Sequence, residues 1–352
     1  MGEDARGKIP EGIDRAGIEG WFEANVEGVE LPLAFERIAG GRSNLTYGVA
    51  DAGGRRWALR RPPLGKRLAS AHDMGREHRI ISALQPTPVP VPPAVGICED
   101  EVVNGAPFYV MRFVGGPILR VKRDAEEAFD EAGRRAVGER VADTLVAIHE
   151  VDPDEIGLGD LARKQDYVAR QLRRWQGQWE KSKTRELPIV DEVHDRLAVR
   201  IPDQGPATLV HGDYRLDNMI LSESGEIAAV LDWELCTLGD PLADVGMLMV
   251  YWTEEGDDLI PLFDPPTTAA GFPTRAELRR RYAEGSGRDL SQLDFFVALG
   301  YWKLAVILQG VYARYAAGGY GKSGATDSSF EHFARLVERL AEGAAEAEAR
   351  LG

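Results

Sequence analysis

One stretch constrains this chain more than any other. It is Leu209-Val-His-Gly-Asp-Tyr-Arg-Leu-Asp-Asn-Met-Ile-Leu221, followed by Ile227-Ala-Ala-Val-Leu-Asp-Trp-Glu234. Short apolar runs at 207–211, 219–222 and 226–231 read as strands, and Glu223-Ser224-Gly225 reads as a turn between the last two. Asn218 and Asp232 stand equally far from Gly225 along the chain, so a hairpin folded there sets them side by side, roughly 5 Å apart. A divalent cation with oxygen ligands at roughly 2.0–2.1 Å then reaches both. Asp213 lies in the loop leaving the strand 207–211, free to face a substrate hydroxyl, and Arg215 adds a cation two residues on. A base, a cation and two metal-competent oxygens are the parts of phosphoryl transfer, whose catalysis is mostly positioning and neutralisation of spreading negative charge. The bland alternative is an Asp- and Asn-rich turn without chemistry. Spacing, strand context and the downstream acid argue together against it.

His211-Gly-Asp-x-x-x-x-Asn218, a hairpin and Asp232-Trp-Glu234 resemble the aminoglycoside phosphotransferase family of kinase-like enzymes. The pattern is a variant of the protein-kinase His-Arg-Asp-x-x-x-x-Asn and Asp-Phe-Gly pair. The resemblance implies an ATP- and Mg2+-dependent phosphotransferase. In it Asp213 is the catalytic base, Asn218 and Asp232 hold magnesium, and Arg215 faces the transferred phosphoryl group. Leu59-Arg-Arg-Pro-Pro63 and Ala71-His-Asp-Met-Gly-Arg-Glu77 look more like the subgroup that includes the kinase-like domain fused to certain acyl-CoA dehydrogenases. That subgroup implies a hydroxylated acyl compound or other metabolite as the hydroxyl substrate rather than an antibiotic. Choline-like and homoserine-like alcohols stay open, because a fold does not fix a substrate.

The rest of the chain is organised to match. Residues 33–60 alternate apolar and polar around Gly40-Gly41 and Gly53-Gly54, a three-stranded meander. A helix at 69–84 and strands at 94–98 and 107–114 complete a small five-stranded N-lobe with one helix. After Gly115-Gly116 helical patterns fill about 124–150, 161–183, 187–200, 241–253, 274–284, 291–317 and 327–348. An α+β, bilobal protein-kinase-like fold follows, with a nucleotide-binding lobe over 1–115 and a mainly helical catalytic and substrate-binding lobe over 116–352. Pro86 to Pro93 reads as an extended connector, with a PxxP ligand for a proline-binding module as the alternative. The alanine- and glutamate-rich end, 340–352, reads as a fraying helix terminus.

Period two decides which arginine of Arg55-Arg-Trp-Ala-Leu-Arg-Arg61 matters. Ala58 and Arg60 share one face; Trp57, Leu59 and Arg61 share the other. In kinases an Ala-x-Lys strand lays its small residue over adenine and reaches the phosphates with its cation, and here Ala58 and Arg60 take those places. Arginine is a planar fork with permanent charge, which still pairs with phosphate or carboxylate. On the 69–84 helix Asp73, Glu77, Ile80, Ile81 and Leu84 share a face. A buried acid needs a partner, and Glu77 paired with Arg60 matches the kinase ion pair; Asp73, one turn earlier, competes for it. Ser43 and Asn44 stand where a phosphate-covering loop belongs, though without a full G-x-G-x-x-G. Phe108 to Gly116 looks like the hinge, with Met111 as an apolar wall and backbone groups near Arg112 and Val114 for adenine.

Composition excludes more than it selects. A formal charge of −15 over 352 residues repels nucleic-acid phosphates; it would suit a cationic substrate, but it equally serves solubility. Cys98 and Cys236 make neither a disulfide framework nor a zinc site, and a reducing cytoplasm fits. The first thirty residues lack a signal-peptide apolar core. The apolar run from Phe295 to Leu308 is too short to span a bilayer and carries Lys303, so no membrane association is expected. Gly318-Gly-Tyr-Gly-Lys-Ser323 resembles the end of a Walker A motif, but a helix precedes it where a strand is required.

Overall fold

The computed structural model describes residues 9–38, 44–64, 73–259, 261, 263–316 and 327–351. Two compact units divide the chain, one comprising Met1–Gly116 with Ala228–Glu234, the other Pro117–Ile227 with Leu235–Gly352.

The first unit is built on α1 (Arg15–Asn25), β1 (Ala34–Ile38), β2 (Leu45–Ala50), β3 (Arg56–Arg61), α2 (Met74–Leu84), β4 (Ala94–Cys98), the short α3 (Glu101–Asn104) and β5 (Phe108–Arg112). The antiparallel sheet has the order β1-β2-β3-β5-β4. One sheet face is apolar, with Tyr47, Val49, Trp57, Leu59, Phe108 and Val110 packed on Ile18 and Phe22 of α1. The Phe22 ring meets Trp57 edge-on at 5.4 Å, a favoured aromatic geometry. Helix α1 was not expected: the N-lobe has more than one helix. Its signals were present, since the Asp14 side chain accepts from Gly17 N–H as N-cap and Ile18 and Phe22 have i,i+4 spacing. The other sheet face carries Ala58 and Arg60 beside their register partners Met111 and Tyr109, and helix α2 packs against β4 and β5. Residues 86–89 of the Pro86–Pro93 connector form a turn and bends, with Thr87 N–H donating to the Leu84 carbonyl at 2.9 Å, while further on the Pro90 and Pro93 carbonyls accept from Val230 and Arg112 N–H at 2.8 Å each.

The second unit is mainly helical. It contains α4 (Lys122–Ala128), α5 (Glu131–Glu150), α6 (Tyr167–Ser182), α7 (Pro188–Ala198), β6 (Thr208–Val210) and β7 (Met219–Leu221). Strand β8 (Ile227–Val230) makes a two-stranded sheet with β7; then come β9 (Thr237–Gly239), α8 (Leu242–Tyr251), α9 (Arg275–Ser286), α10 (Leu293–Ala316) and α11 (Asp327–Glu348). The helix expected over 124–150 is two helices, because Asp130 caps α5 by accepting from Gly133 N–H at 2.7 Å. Strand β9 was also unexpected; it pairs antiparallel with β6.

Two further readings need correction. The apolar run 295–308 is short, but α10 extends beyond it, and Leu293–Arg314 is long and apolar enough to cross a membrane by length and composition alone. Within the protein it is a core helix: Phe295, Phe296, Ala298, Trp302, Ala305 and Val306 are buried, and it packs on α6, α7, α8 and α11. The end of α11 does not fray. Leu340, Ala341, Ala344 and Ala347 are fully buried, and the buried Glu348 pairs with Arg196 at 2.9 Å and Arg200 at 3.0 Å. The Walker-like segment lies outside the described residues. Because Phe22 is fully buried against the apolar face of the sheet, Phe22→Ala should cost about 3–5 kcal/mol. The measurement is the urea midpoint followed by tryptophan fluorescence, and an unchanged midpoint would show that α1 does not contribute to that core.

Candidate active site

The loop between β6 and β7 is held from behind before it presents anything. Asp244, near the start of α8, is fully buried. Its Oδ2 accepts from the backbone N–H of His211 at 2.6 Å and its Oδ1 from Gly212 N–H at 2.8 Å. His149 Nε2 lies 3.4 Å from the same carboxylate. Burial works against ionisation of Asp244, yet His149, His211 and the Gly212 N–H hold its pKa below the usual carboxylate value. Gly212 has φ of +86°, and a Cβ there would meet Leu235 at 3.0 Å, so only glycine fits.

From that anchored turn Asp213 emerges half-buried. Its N–H donates to His211 Nδ1 at 3.2 Å. Tyr251, at the far end of α8, donates its hydroxyl to Asp213 Oδ1 at 3.2 Å. Asn218 Nδ2 donates both to Asp213 Oδ2 and to its backbone carbonyl, each at 2.9 Å. A carboxylate offers about four lone-pair positions, so two donors fix the group and leave acceptor capacity for a substrate hydroxyl. Burial, then the Asp213 charge, pushes the Tyr251 phenol up, which keeps it a donor. With its nitrogen committed to Asp213, the Asn218 side chain has its oxygen left as a hard donor. Arg215 lies over the Tyr251 ring, 4.8 Å from its centroid, and forms a two-pronged ion pair with Asp217.

In the first unit the cationic centre is Arg60. Its Nε lies 3.2 Å from Glu77 Oε2, and its Nη2 lies 2.5 Å from Asp232 Oδ1 and 3.9 Å from Glu234 Oε2. Burial would lower the Arg60 pKa; Glu77 outweighs it, joined by Tyr109 and Asp232, and holds the pKa above the usual value. Glu77 is 2% exposed. Burial pushes its carboxyl up to about 7 against the pull of Arg60, with Asp232 and Glu234 adding to the rise. Asp232 has φ of +65°, a region Asp tolerates better than most residues.

Residues 34–296 match the phosphotransferase enzyme family, APH, well over half of the chain. The chain belongs to that family. Among its relatives, acyl-CoA dehydrogenase family member 10 of Mus musculus is 35% identical over 315 residues, 88% of this chain and 29% of the relative. The chain therefore spans under a third of the length of that relative. A crystal structure from Ralstonia eutropha JMP134, described provisionally as an aminoglycoside phosphotransferase, is 31% identical, with a TM-score of 0.81 over 96% of this chain and 98% of that one. A thermostable mutant of aminoglycoside phosphotransferase APH(4)-Ia, in ternary complex with AMP-PNP and hygromycin B, is 17% identical. Its TM-score is 0.62, over 95% of this chain and 99% of that one, and it shares the fold. The α+β kinase-like architecture expected of the sequence is thus that of its phosphotransferase family.

Within this phosphotransferase fold the residues singled out earlier divide into groups. Asp213, Asn218 and Arg215 converge in the second unit, and Arg60, Glu77 and Asp232 converge in the first. Glu77, not Asp73, pairs with Arg60; the Asp73 side chain caps α2 by accepting from Arg76 N–H. Ser43 lies outside the described residues. Asn44 does not stand open to a phosphate: it is buried, and its Nδ2 donates to Glu234 Oε2 at 3.0 Å. Met111 sits beside Ala58 as an apolar wall. The Arg112 N–H donates to the Pro93 carbonyl at 2.8 Å and its guanidinium lies 5.6 Å from the Trp57 ring centroid; Val114 lies two residues beyond, past the end of β5. Asp217 and Tyr251 carry no local signal in the sequence; Asp244, in Gly239-Asp-Pro-Leu-Ala-Asp244, reads there only as framing the start of a helix, and Lys303 only as a charge within an apolar run.

The raised Glu77 pKa has a defined sign for stability. The folded carboxyl holds its proton more tightly than an ordinary one at 4.5, so folding takes up a proton between pH 4.5 and about 7. Glu77 therefore costs stability increasingly as pH rises through that window, and by a constant amount above it. Paired urea titrations should show Glu77→Gln gaining on wild type between about pH 5 and about pH 8. A constant difference, or one of opposite sign, would show that Arg60 prevails over burial.

Proposed function

We propose that this chain transfers the γ-phosphate of ATP to a hydroxyl of a small molecule, with Asp213 as the base. The observation that carries the reading is the Asp213 carboxylate, half-buried and oriented by Tyr251 and Asn218. A base so placed accepts the hydroxyl proton as the oxygen attacks phosphorus, and Tyr251 and Asn218 restrain the carboxylate while its charge is lost. Arg60 takes the place of the nucleotide cation, positioned by Glu77, over a face walled by Ala58 and Met111. Residues 1–115 would then be the nucleotide lobe and 116–352 the catalytic and acceptor lobe, in a cytoplasm suited to the free, buried Cys98 and Cys236.

Magnesium fits the donor set. Asn218 Oδ1 and the Asp232 carboxylate are hard oxygens, and Mg2+ is commonly held by one or two protein oxygens with phosphates and water. When present, the metal would offset charge on the phosphates. Nucleotide use is supported by AMP-PNP in the APH(4)-Ia complex, and a metabolite acceptor, such as a hydroxyacyl compound, by the acyl-CoA dehydrogenase relatives.

A second reading is a nucleotide-binding module without catalysis. Two observations favour it: Arg60 stands on Asp232 at 2.5 Å, and Arg215 is tied to Asp217. Parallel assays with γ-labelled and α-labelled ATP against a library of hydroxyl compounds separate the readings. Label transfer from the γ position only is expected; transfer from the α position means nucleotidyl transfer, and nucleotide binding without transfer means the second reading. Asp213→Asn should lower turnover by roughly 10²–10⁴-fold, and wild-type-like turnover in that variant removes Asp213 as the base.

A further inference from the structure

Beside the catalytic loop the second unit encloses a cavity lined by Tyr167, Gln171, Trp175, Met247, Phe296 and Lys303. Gly212, the residue before the base, forms part of its wall. Ala243, Asp244, Leu299 and Gly300 complete the lining, which is mostly aromatic and aliphatic, with the Gln171 amide, the Tyr167 hydroxyl, the Lys303 ammonium and the Asp244 carboxylate as its polar groups. That ammonium stands out on α10, whose neighbouring residues Phe296, Leu299, Trp302 and Val306 are buried and apolar. Lys303 Nζ donates to the Gly212 carbonyl at 3.1 Å and lies 5.6 Å from the Trp175 ring centroid.

An ammonium group has three N–H donors, and the Gly212 carbonyl takes one. Among the described residues no carboxylate lies within ion-pair distance of Lys303; Asp213 and Asp244 act on it only through space. Burial pushes its pKa down, and those two acids oppose the fall. The Asp244 carboxylate in the same lining is already engaged by the His211 and Gly212 N–H groups, and a buried cation is costly unless an anion meets it. Trp175 offsets part of that cost through its ring face.

We propose that Lys303 is a specificity residue of the acceptor site, and that the acceptor is a hydroxylated compound that also carries an anionic group, such as a carboxylate or phosphate. The inference deepens the phosphotransferase reading and rests on Asp213 as its base. The ammonium contacts the residue next to Asp213, so an anion on Lys303 holds the remainder of a short molecule beside the base. A polycationic aminoglycoside would meet a like charge in the same cavity and be disfavoured.

The test is calorimetric binding of short hydroxycarboxylates, their matched hydroxycarboxamides and an aminoglycoside to the full chain. Wild type should bind each carboxylate about 10- to 100-fold more tightly than its carboxamide, the worth of a hydrogen bond to a charged group. Lys303→Gln keeps a donor for the Gly212 carbonyl but no charge, and should bring the ratio to near one; Lys303→Arg should retain the preference. Equal affinities in wild type, a ratio unchanged in Lys303→Gln, no binding of either probe, or tighter binding of the aminoglycoside would each overturn the inference. γ-Phosphate transfer to carboxylate and carboxamide alike, with equal efficiency, overturns it while leaving the phosphotransferase reading intact. A carboxylate preference that depends on Lys303, without γ-transfer to any alcohol, upholds the anion site and removes the phosphotransferase reading instead.

Discussion

Everything in the catalytic loop depends on one buried carboxylate accepting two adjacent backbone N–H groups. Asp244 takes the amides of His211 and Gly212, and the resulting turn determines where Asp213 emerges. Such a group is costly to bury unless its hydrogen bonds are met. Here they are met by backbone on one side and by His149 on the other, while His149 Nδ1 engages the Tyr282 hydroxyl at 2.7 Å. Burial lowers the His149 pKa, so the ring is held neutral and serves as a spacer between α5, α8 and α9. The Gly212 peptide is also gripped at its carbonyl by Lys303 of α10. Two helices therefore hold Gly212 from either side, α8 at its N–H and α10 at its carbonyl.

Helix α8 acts on Asp213 twice. Asp244 in its first turn fixes the backbone before Asp213, and Tyr251 at its last residue fixes the carboxylate itself. The arginines around the chemistry are likewise compensated from within. Arg60 is balanced by Glu77 and Asp232, and Arg215 by Asp217. Each pairing supplies an acid of opposite charge at close range, so the side chains are oriented before any substrate arrives.

The sequence made the motif-bearing residues legible because their spacing is local. Asp213 and Asn218 lie five residues apart, and their hydrogen bonds follow from that short loop. The Arg60–Glu77 pair was also readable, since period two on β3 put Arg60 beside Ala58, period 3.6 on α2 put Asp73 and Glu77 on one apolar face, and the kinase resemblance favoured Glu77. The same reasoning stopped at Asp73, where a side chain on the right helical stripe turned out to be an N-cap. It missed Tyr251 and Lys303, whose roles depend on tertiary packing of helices far from the loop in sequence. For Asn44 and Arg112 the sequence offered only position, in a turn and at a hinge, and the partners of the Asn44 side chain and the Arg112 N–H, Glu234 and Pro93, come from tertiary packing. Strand β9 escaped because three residues show too little alternation to be distinguished from a loop.

Helix α10 joins two demands that many enzymes keep apart. Its buried residues support the packing of four neighbouring helices, and a single lysine on the same rod borders the loop that carries the base. Rotating or shifting the rod to suit a new small molecule would disturb the interior around it. Divergence of preference in proteins of this architecture should therefore proceed by exchanging single side chains along that rod, leaving its axis and register where they are.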